Sequence, residues 1–409
     1  MRRRVDEAVG LGQAKEKSIK GKAGEVQVWS LWRLWLKWTL LALCVLYVVT
    51  PFLLRLFPGI VQHLVYSHGI LYFVDLSRPA DLGLNHTANM YLTPEEGVTL
   101  GVWHTVPEKK WKEAQGKGLD WYEKSLGDGS PVFIYLHGNT NNRATPHRIA
   151  TANVSSSTLF TLRNLNNVTK NTPVTVFWML QVISSLGYHA VVMDYRGMLK
   201  QITIEMVVYE LEMVPCQIQN LLGFGDSTGE PTGSRLIIDA LYLYHWVRER
   251  SKGSPLVIWG HSIGTVVTTN LAVKLQEQGN PADGVILEGA FTHTLQKRYA
   301  HPFAWYYWKF PYIQYYFLSL PKEKKAPVPN DENLKKMRTP LLMLHAEDDQ
   351  VAPFKMAQEL YSIAREALKS DKRIKLVSFE RSLRYGHDEV YRDPALPGIV
   401  REFVQTLAA

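Results

Sequence analysis

Pro255-Leu256-Val257-Ile258-Trp259-Gly260-His261-Ser262-Ile263-Gly264 is the stretch on which the reading of this chain turns. An apolar run of strand length ends in a serine held between two glycines, and Thr265 to Val273 continue behind it as an apolar segment fit for a buried helix. A backbone that turns this sharply from strand to helix has no room for side chains at the flanking positions, which is why glycine stands at both. The serine hydroxyl is then presented at the tip of the sheet. The first N–H groups of the helix lie beside it, ready to receive a negatively charged oxygen.

The spacing G-x-S-x-G is weak evidence alone, since it arises by chance in roughly one chain in ten of this length. A second copy is present here, Gly225-Asp226-Ser227-Thr228-Gly229. Context separates the two. Asn220 to Gly223 are too short and broken for a core strand, and Glu230-Pro231-Thr232-Gly233 follow as turn chemistry. Ser262 is therefore the expected nucleophile, and Ser227 a loop residue.

Further short apolar runs lie on either side of the elbow, at Val132–Leu136, Ala190–Met193, Leu256–Trp259, Gly284–Leu287, Leu341–Leu344 and Ile374–Phe379. Helical patterns at Arg235–Glu249 and Lys355–Leu368 alternate with them, and a strand pair, Ala88–Leu92 and Val98–His104, precedes them. Strands alternating with helices predict a mostly parallel sheet covered by helices on both faces, with the ligand at the carboxyl ends of the strands. With the elbow, this is the α/β-hydrolase fold.

At 409 residues, 46% of them hydrophobic, the chain is long enough for one large α/β domain with extensions. The net charge of +8 is read as a solvated basic surface. No basic helix, zinc spacing or aromatic RNA motif points to nucleic acid. The two cysteines, Cys44 and Cys216, make no metal cluster. The chemistry expected here needs neither cofactor nor metal.

Trp38 to Leu54 is an uncharged stretch of about 17 residues, the short limit for a membrane span, extendable to Leu34 if Lys37 snorkels. Pro51 to Arg55 does not resemble a cleavage site, which argues against a signal peptide; a buried core helix is the other reading. Lysines and arginines collect before the stretch, so a cytoplasmic N-terminus and a translocated C-terminal part are expected. The sequon Asn85-His86-Thr87 agrees. The expected organisation is a basic cytoplasmic tail (1–37), a transmembrane helix (38–54), a membrane-proximal segment with the first strands (55–120) and the catalytic domain (121–409). Within the third of these segments, Pro58 to Val74 would lie at the membrane interface or pack on the domain.

In this fold the acid and then the histidine follow the nucleophile. The acid should close a late strand, and His345-Ala346-Glu347-Asp348-Asp349 ends one, offering Asp348 and Asp349. His387 is the only histidine after His345. It would take the Ser262 proton and return it to the leaving group, with the acid fixing its tautomer. His261 and His345 are expected to line or support the pocket. For the oxyanion hole, one N–H would come from Ile263 and another from Asn139 or Thr140, in the loop after Val132–Leu136.

Several stretches together resemble the α/β-hydrolase domain-containing group of membrane-anchored lysophosphatidylserine and monoacylglycerol lipases: Pro58-Gly59-Ile60, Gly83 to Thr87, Gly101 to Pro107, Tyr135 to Asn139, Trp259 to Thr265, Asn330 to Asn333 and His345 to Pro353. The resemblance implies a single-pass protein of the endoplasmic reticulum membrane with a lumenal catalytic domain, a lysophospholipid or monoacylglycerol substrate and a glycosylation site at Asn85. It also favours Asp349 as the acid, through the Val and Pro that follow. Two segments depart from the group's pattern, about 150–180 (with sequons at Asn153 and Asn167) and 198–223. They are expected to be looped out, or else to impair the site. Tyr299 to Leu320 is rich in aromatic residues and reads as a cap, sheltering an acyl chain or simply covering the core. Lys309, Lys322, Lys324 and Lys325 would attract an anionic head group or only form a solvated rim. Two other functions share these features: an acyl thioesterase or amidase with the same triad, and an inactive membrane-tethered binding protein.

Overall fold

The structure is a computed structural model and describes residues 32–50, 52–53, 76–138, 178–196, 227–229, 233–292 and 328–407. The expected basic tail as far as residue 31, the interfacial segment, Asn139, Thr140, Asn153, Asn167, the cap with its lysines, the 198–223 segment and most of 150–180 lie outside the described residues. The chain divides into two compact units, Met1–Val61 and Gln62–Ala409.

In the first unit, helix α1 runs Trp32–Thr50 and is long and apolar enough to cross a membrane. It starts at Trp32 rather than Trp38, so Arg33 and Lys37 are helical, as long-stemmed cations at a span's end can be. Its apolar side chains are exposed within the unit, from Trp32 to Val49. The Thr50 hydroxyl donates to the Leu46 carbonyl at 2.6 Å, so no polar side-chain group is left open at that position.

The second unit is built on an eight-stranded sheet: β1 (Thr87–Glu95), β2 (Val98–Thr105), β3 (Val132–Leu136), β4 (His189–Met193), β5 (Leu256–His261), β6 (Gly284–Glu288), β7 (Leu341–Ala346) and β8 (Ile374–Phe379). The spatial order is β1-β2-β4-β3-β5-β6-β7-β8. β1–β2 and β2–β4 pair antiparallel, and the remaining pairs are parallel. The chain steps from β3 to β4 on one side and later to β5 on the other, so the strand order reverses at β3. Open α/β sheets bind their ligands at such a reversal, outside the carboxyl ends of the strands. The expected strands are all present, unchanged or extended by one or two residues, except β1, which is four residues longer than the expected Ala88–Leu92.

All five residues of β3 and of β6, and all six of β5 and of β7, are buried, as strands covered on both faces must be. Alternation divides them between two layers. Phe133, Tyr135 and Trp259 pack with Ile183 of α2 (Trp178–Ser185) and with Leu396, Val400 and Phe403 of the last helix. Val132, Ile134 and Ile258 pack with Leu243 of α3 (Gly233–Arg250) and Leu271 of α4 (Ile263–Glu277). Residues 178–180, placed in the first inserted segment from the sequence, belong instead to α2: Met179 and Leu180 are buried in the core, which is why the chain keeps them. At the end of β4, Arg196 is buried and grips both carboxylate oxygens of Asp239 in α3, at 2.8 and 2.5 Å, and also pairs with Glu95. Removing one partner of such a buried pair costs about 3–5 kcal/mol.

Candidate active site

The elbow forms because β5 and β3 are in register to their ends, Leu136 opposite Gly260. Helix α4 then starts so close to β3 that a Cβ on Gly264 would lie 2.1 Å from the Leu136 carbonyl oxygen, and one on Gly260 would lie 2.5 Å from the Gly264 oxygen. Only glycine fits at either position. Between them Ser262 adopts φ 52° and ψ −119°, a region L-residues avoid, and the cost is met by the packing on both sides. Ile263 opens α4, so its N–H is among those at a helix start that have no partner one turn back.

His387, from the loop after β8, places Nε2 2.8 Å from Ser262 Oγ. Its Nδ1 lies 2.7 Å from Asp349 Oδ2. The carboxylate cannot donate, so Nδ1 carries the proton and Nε2 accepts from the serine hydroxyl. The other Asp349 oxygen accepts the N–H groups of Val351 and Ala352, each at 2.8 Å, which fixes the carboxylate after β7. Asp348 is turned to another use: its Oδ1 accepts the Gly386 N–H at 3.0 Å and ties down the loop that carries His387. Neither aspartate caps the helix at Phe354–Leu368 through its side chain; that helix begins at Pro353 without a side-chain cap.

His261 Nε2 donates to the His387 carbonyl at 3.0 Å, with the two rings 5.1 Å apart. His345 Nε2 donates to the Ala352 carbonyl at 2.6 Å and lies 3.4 Å from Asp349 Oδ2. Both histidines thus support the site. The loop after β3 is held from within: His137 Nδ1 donates to the Gly138 carbonyl at 2.8 Å, and the Tyr195 hydroxyl donates to the His137 carbonyl at 3.1 Å. Asn139 and Thr140 follow, outside the described residues. Asn85 is exposed on a turn before β1. Ser227 is engaged elsewhere: its buried hydroxyl accepts the Gly101 N–H and donates to the Asp194 carbonyl, both at 2.9 Å.

Burial alone would lower the His387 pKa, but the hydrogen bond and charge of Asp349, with the charges of Asp388 and Glu288, outweigh it and raise the pKa above the ordinary histidine value. Burial pushes the Asp349 carboxyl up, yet His387 holds it net below its usual range. A base poised this way can withdraw a proton from Ser262 and share the resulting charge with the acid. His261, His387 and Asp388 bring possible ligand atoms within 4.8 Å of one another. Both ring nitrogens of His387 and the Nε2 of His261 are already engaged, so the group does not make a metal centre.

Two neighbours of the site had no motif to reveal them. Glu288, the last residue of β6, accepts the Ser262 N–H on its carbonyl at 2.9 Å, and Gly289 packs against the His387 ring. The one available signal was an acidic residue closing an otherwise apolar strand beside the elbow strand.

No family model matches the chain. Lysophosphatidylserine lipase ABHD12 of Macaca fascicularis is 40% identical over 362 residues, covering 88% of this chain and 77% of that protein. Protein ABHD12B of Homo sapiens is 35% identical over 333 residues, 81% of this chain and 76% of that one. Among solved structures, the Pyrococcus furiosus esterase Pf2001 is similar at a TM-score of 0.48 and 14% identity, over 82% of this chain and 96% of its own. Identity of this order over most of both sequences, together with the sheet order and elbow described above, makes this chain a hydrolase of the ABHD12 family with the α/β-hydrolase fold.

Proposed function

We propose that this protein is a single-pass, membrane-anchored lipase that cleaves the acyl ester of lysophospholipids, lysophosphatidylserine among them, or of monoacylglycerols. The observation that carries the reading is the continuous chain from Ser262 Oγ through His387 to Asp349, at 2.8 and 2.7 Å, on a strained elbow. His387 takes the Ser262 proton as the serine oxygen attacks the ester carbonyl. The tetrahedral oxyanion is received by the Ile263 N–H and by an N–H of Asn139 or Thr140. His387 then protonates the departing glycerol oxygen, and water repeats the sequence in reverse to release the fatty acid.

The lipid class is supported by the printed name of the relatives and by α1, which would keep the site near bilayer lipids. The basic residues before and at the start of α1 favour a cytoplasmic tail (1–37) with the catalytic part across the membrane; placing that part in the lumen of the endoplasmic reticulum is what the family resemblance implies. Exposed Asn85 would then be accessible to glycosylation. The test is fluorophosphonate labelling of membranes carrying the full chain or Ser262→Ala, followed by hydrolysis of lysophosphatidylserine, a monoacylglycerol and an acyl thioester. Ser262-dependent label with preference for the lysolipid is expected. A label that survives in Ser262→Ala, or none in either protein, overturns the triad; preference for the thioester overturns the substrate class.

A further inference from the structure

A second buried carboxylate stands behind the histidine. Glu288 is only 3% exposed. The indole N–H of Trp259 donates to its Oε2 at 3.0 Å, orienting the carboxylate from the neighbouring strand. By strand alternation it shares a face of β6 with Ile286, which is buried in one cluster with Trp259, Leu344, Phe379 and Tyr385. Tyr385 lies two residues before His387, so Glu288 is on the sheet face against which the start of the base-bearing loop packs. Its own backbone is joined to the nucleophile, through the Ser262 N–H at 2.9 Å. The next residue touches the base: a Cβ added at Gly289 would lie 2.9 Å from His387 Cε1.

We propose that Glu288 is a positioning residue of the hydrolytic site, a second negative charge that stabilises the imidazolium of His387 when Ser262 gives up its proton. The proposal rests on the triad reading above. A carboxylate with so little water around it interacts strongly with a cation formed nearby and weakly with the neutral ring. The stabilisation is therefore largest where charge has developed, which is the condition for lowering a barrier rather than merely tightening binding. Among the described residues, Asp349, Asp388, His261 and His345 are the other titratable groups around the His387 ring, and the Glu288 charge acts on it in the same direction as the two aspartates.

The experiment uses the full-length protein in membranes, with fluorophosphonate and lysophosphatidylserine as probes and Ser262→Ala as the control. Glu288→Gln keeps the shape and the Trp259 contact but removes the charge. Its acid limb of kcat/KM is expected to move to lower pH by about half a unit or more, with kcat reduced about 10-fold and KM little changed. Glu288→Asp, which keeps the charge, should hold the limb near that of the wild type. Should Glu288→Gln not fold, the double variant Trp259→Phe/Glu288→Met replaces both partners by apolar groups of similar shape, a change that folded cores often accept. An acid limb coincident with the wild type in the charge-free variant overturns the proposal, as does failure of both charge-free variants to fold, which would make the carboxylate purely structural. Loss of Ser262-dependent labelling in the wild type would instead overturn the triad.

Discussion

His261 donates its Nε2–H to the backbone carbonyl of His387 at 3.0 Å, so the residue beside the proposed nucleophile grips the backbone of the proposed base. The contact spans 126 positions of the chain and closes the loop after β8 over the elbow. Substituting His261→Phe keeps the ring volume and loses the donor. We expect kcat to fall by about 10- to 100-fold, the usual effect of a displacement near 1 Å at reacting groups. KM should change little, and His261→Gln should recover part of the rate. Steady-state hydrolysis of lysophosphatidylserine checks this; unchanged kcat in His261→Phe would show that the loop is held by Asp348 and Gly386 alone.

Gly289 combines φ +59° with a ring at contact distance. In Gly289→Ala the new methyl would stand 2.9 Å from His387 Cε1 and force the imidazole away from Ser262. The left-handed backbone adds a cost of about 1–2 kcal/mol. Loss of most fluorophosphonate reactivity, with a modest drop in thermal midpoint, is the expected outcome. A fully reactive variant would contradict the packing.

The pH dependence of activity follows from the base. As the proposed base, His387 would work only when neutral, and Asp349 holds its pKa above the ordinary value of about 6.5 despite burial. The rate should therefore fall as pH drops through a point above about 6.5. Asp349→Asn removes the charge and the fixed tautomer, moving the limb down and lowering kcat by about 10⁴-fold. Profiles of kcat/KM for both proteins test the sign: a limb that stays put in Asp349→Asn rules out Asp349 as the partner.

Stability has a separate acid limit, set chiefly by two histidines that are not part of the triad. His104 and His189 are fully buried and joined at 2.9 Å, and His189 Nε2 faces Asp128, itself paired with Lys110 at 2.7 Å. Burial pushes the pKa of both histidines down, that of His104 well down. In the unfolded chain they take up protons near pH 6.5, so below that the unfolded state binds more protons and stability falls as pH falls. The slope is up to about 1.4 kcal/mol per pH unit for each histidine. His345, also lowered by burial, adds to it. Thermal midpoints measured from neutral to mildly acidic pH should decline, and His104→Phe should reduce the slope. An unaltered slope in that variant would refute the assignment.

The segment 198–223 begins just beyond Arg196 and ends just before Ser227, and the Ser227 hydroxyl bonds the Asp194 carbonyl at 2.9 Å. Asp194 and Ser227, described residues on either side of the segment, are thus hydrogen-bonded to each other. A chain lacking 198–223, with a short glycine-serine bridge, is expected to keep Ser262-dependent labelling close to that of the full chain. Loss of labelling with the fold retained would show that the segment serves the site.

Much of this arrangement was legible beforehand, because it depends on neighbours in the chain. Apolar runs of strand length, glycines at a turn too tight for a Cβ, and the order serine, acid, histidine are local facts, and β3 and β8 have the bounds that composition suggests. Three-dimensional packing decided the rest. Asp348 and Asp349 are chemically identical and adjacent; only the path of the chain out of β7, turned by two N–H groups onto one carboxylate oxygen, sends Asp349 to His387 and leaves Asp348 to hold Gly386. Glu288 and Gly289 have no motif, and their closeness to Ser262 and His387 follows from β6 lying beside β5. Sequence periodicity reports which residues leave water, whereas the partner each meets there depends on strand order and loop direction, which no local stretch of chain encodes.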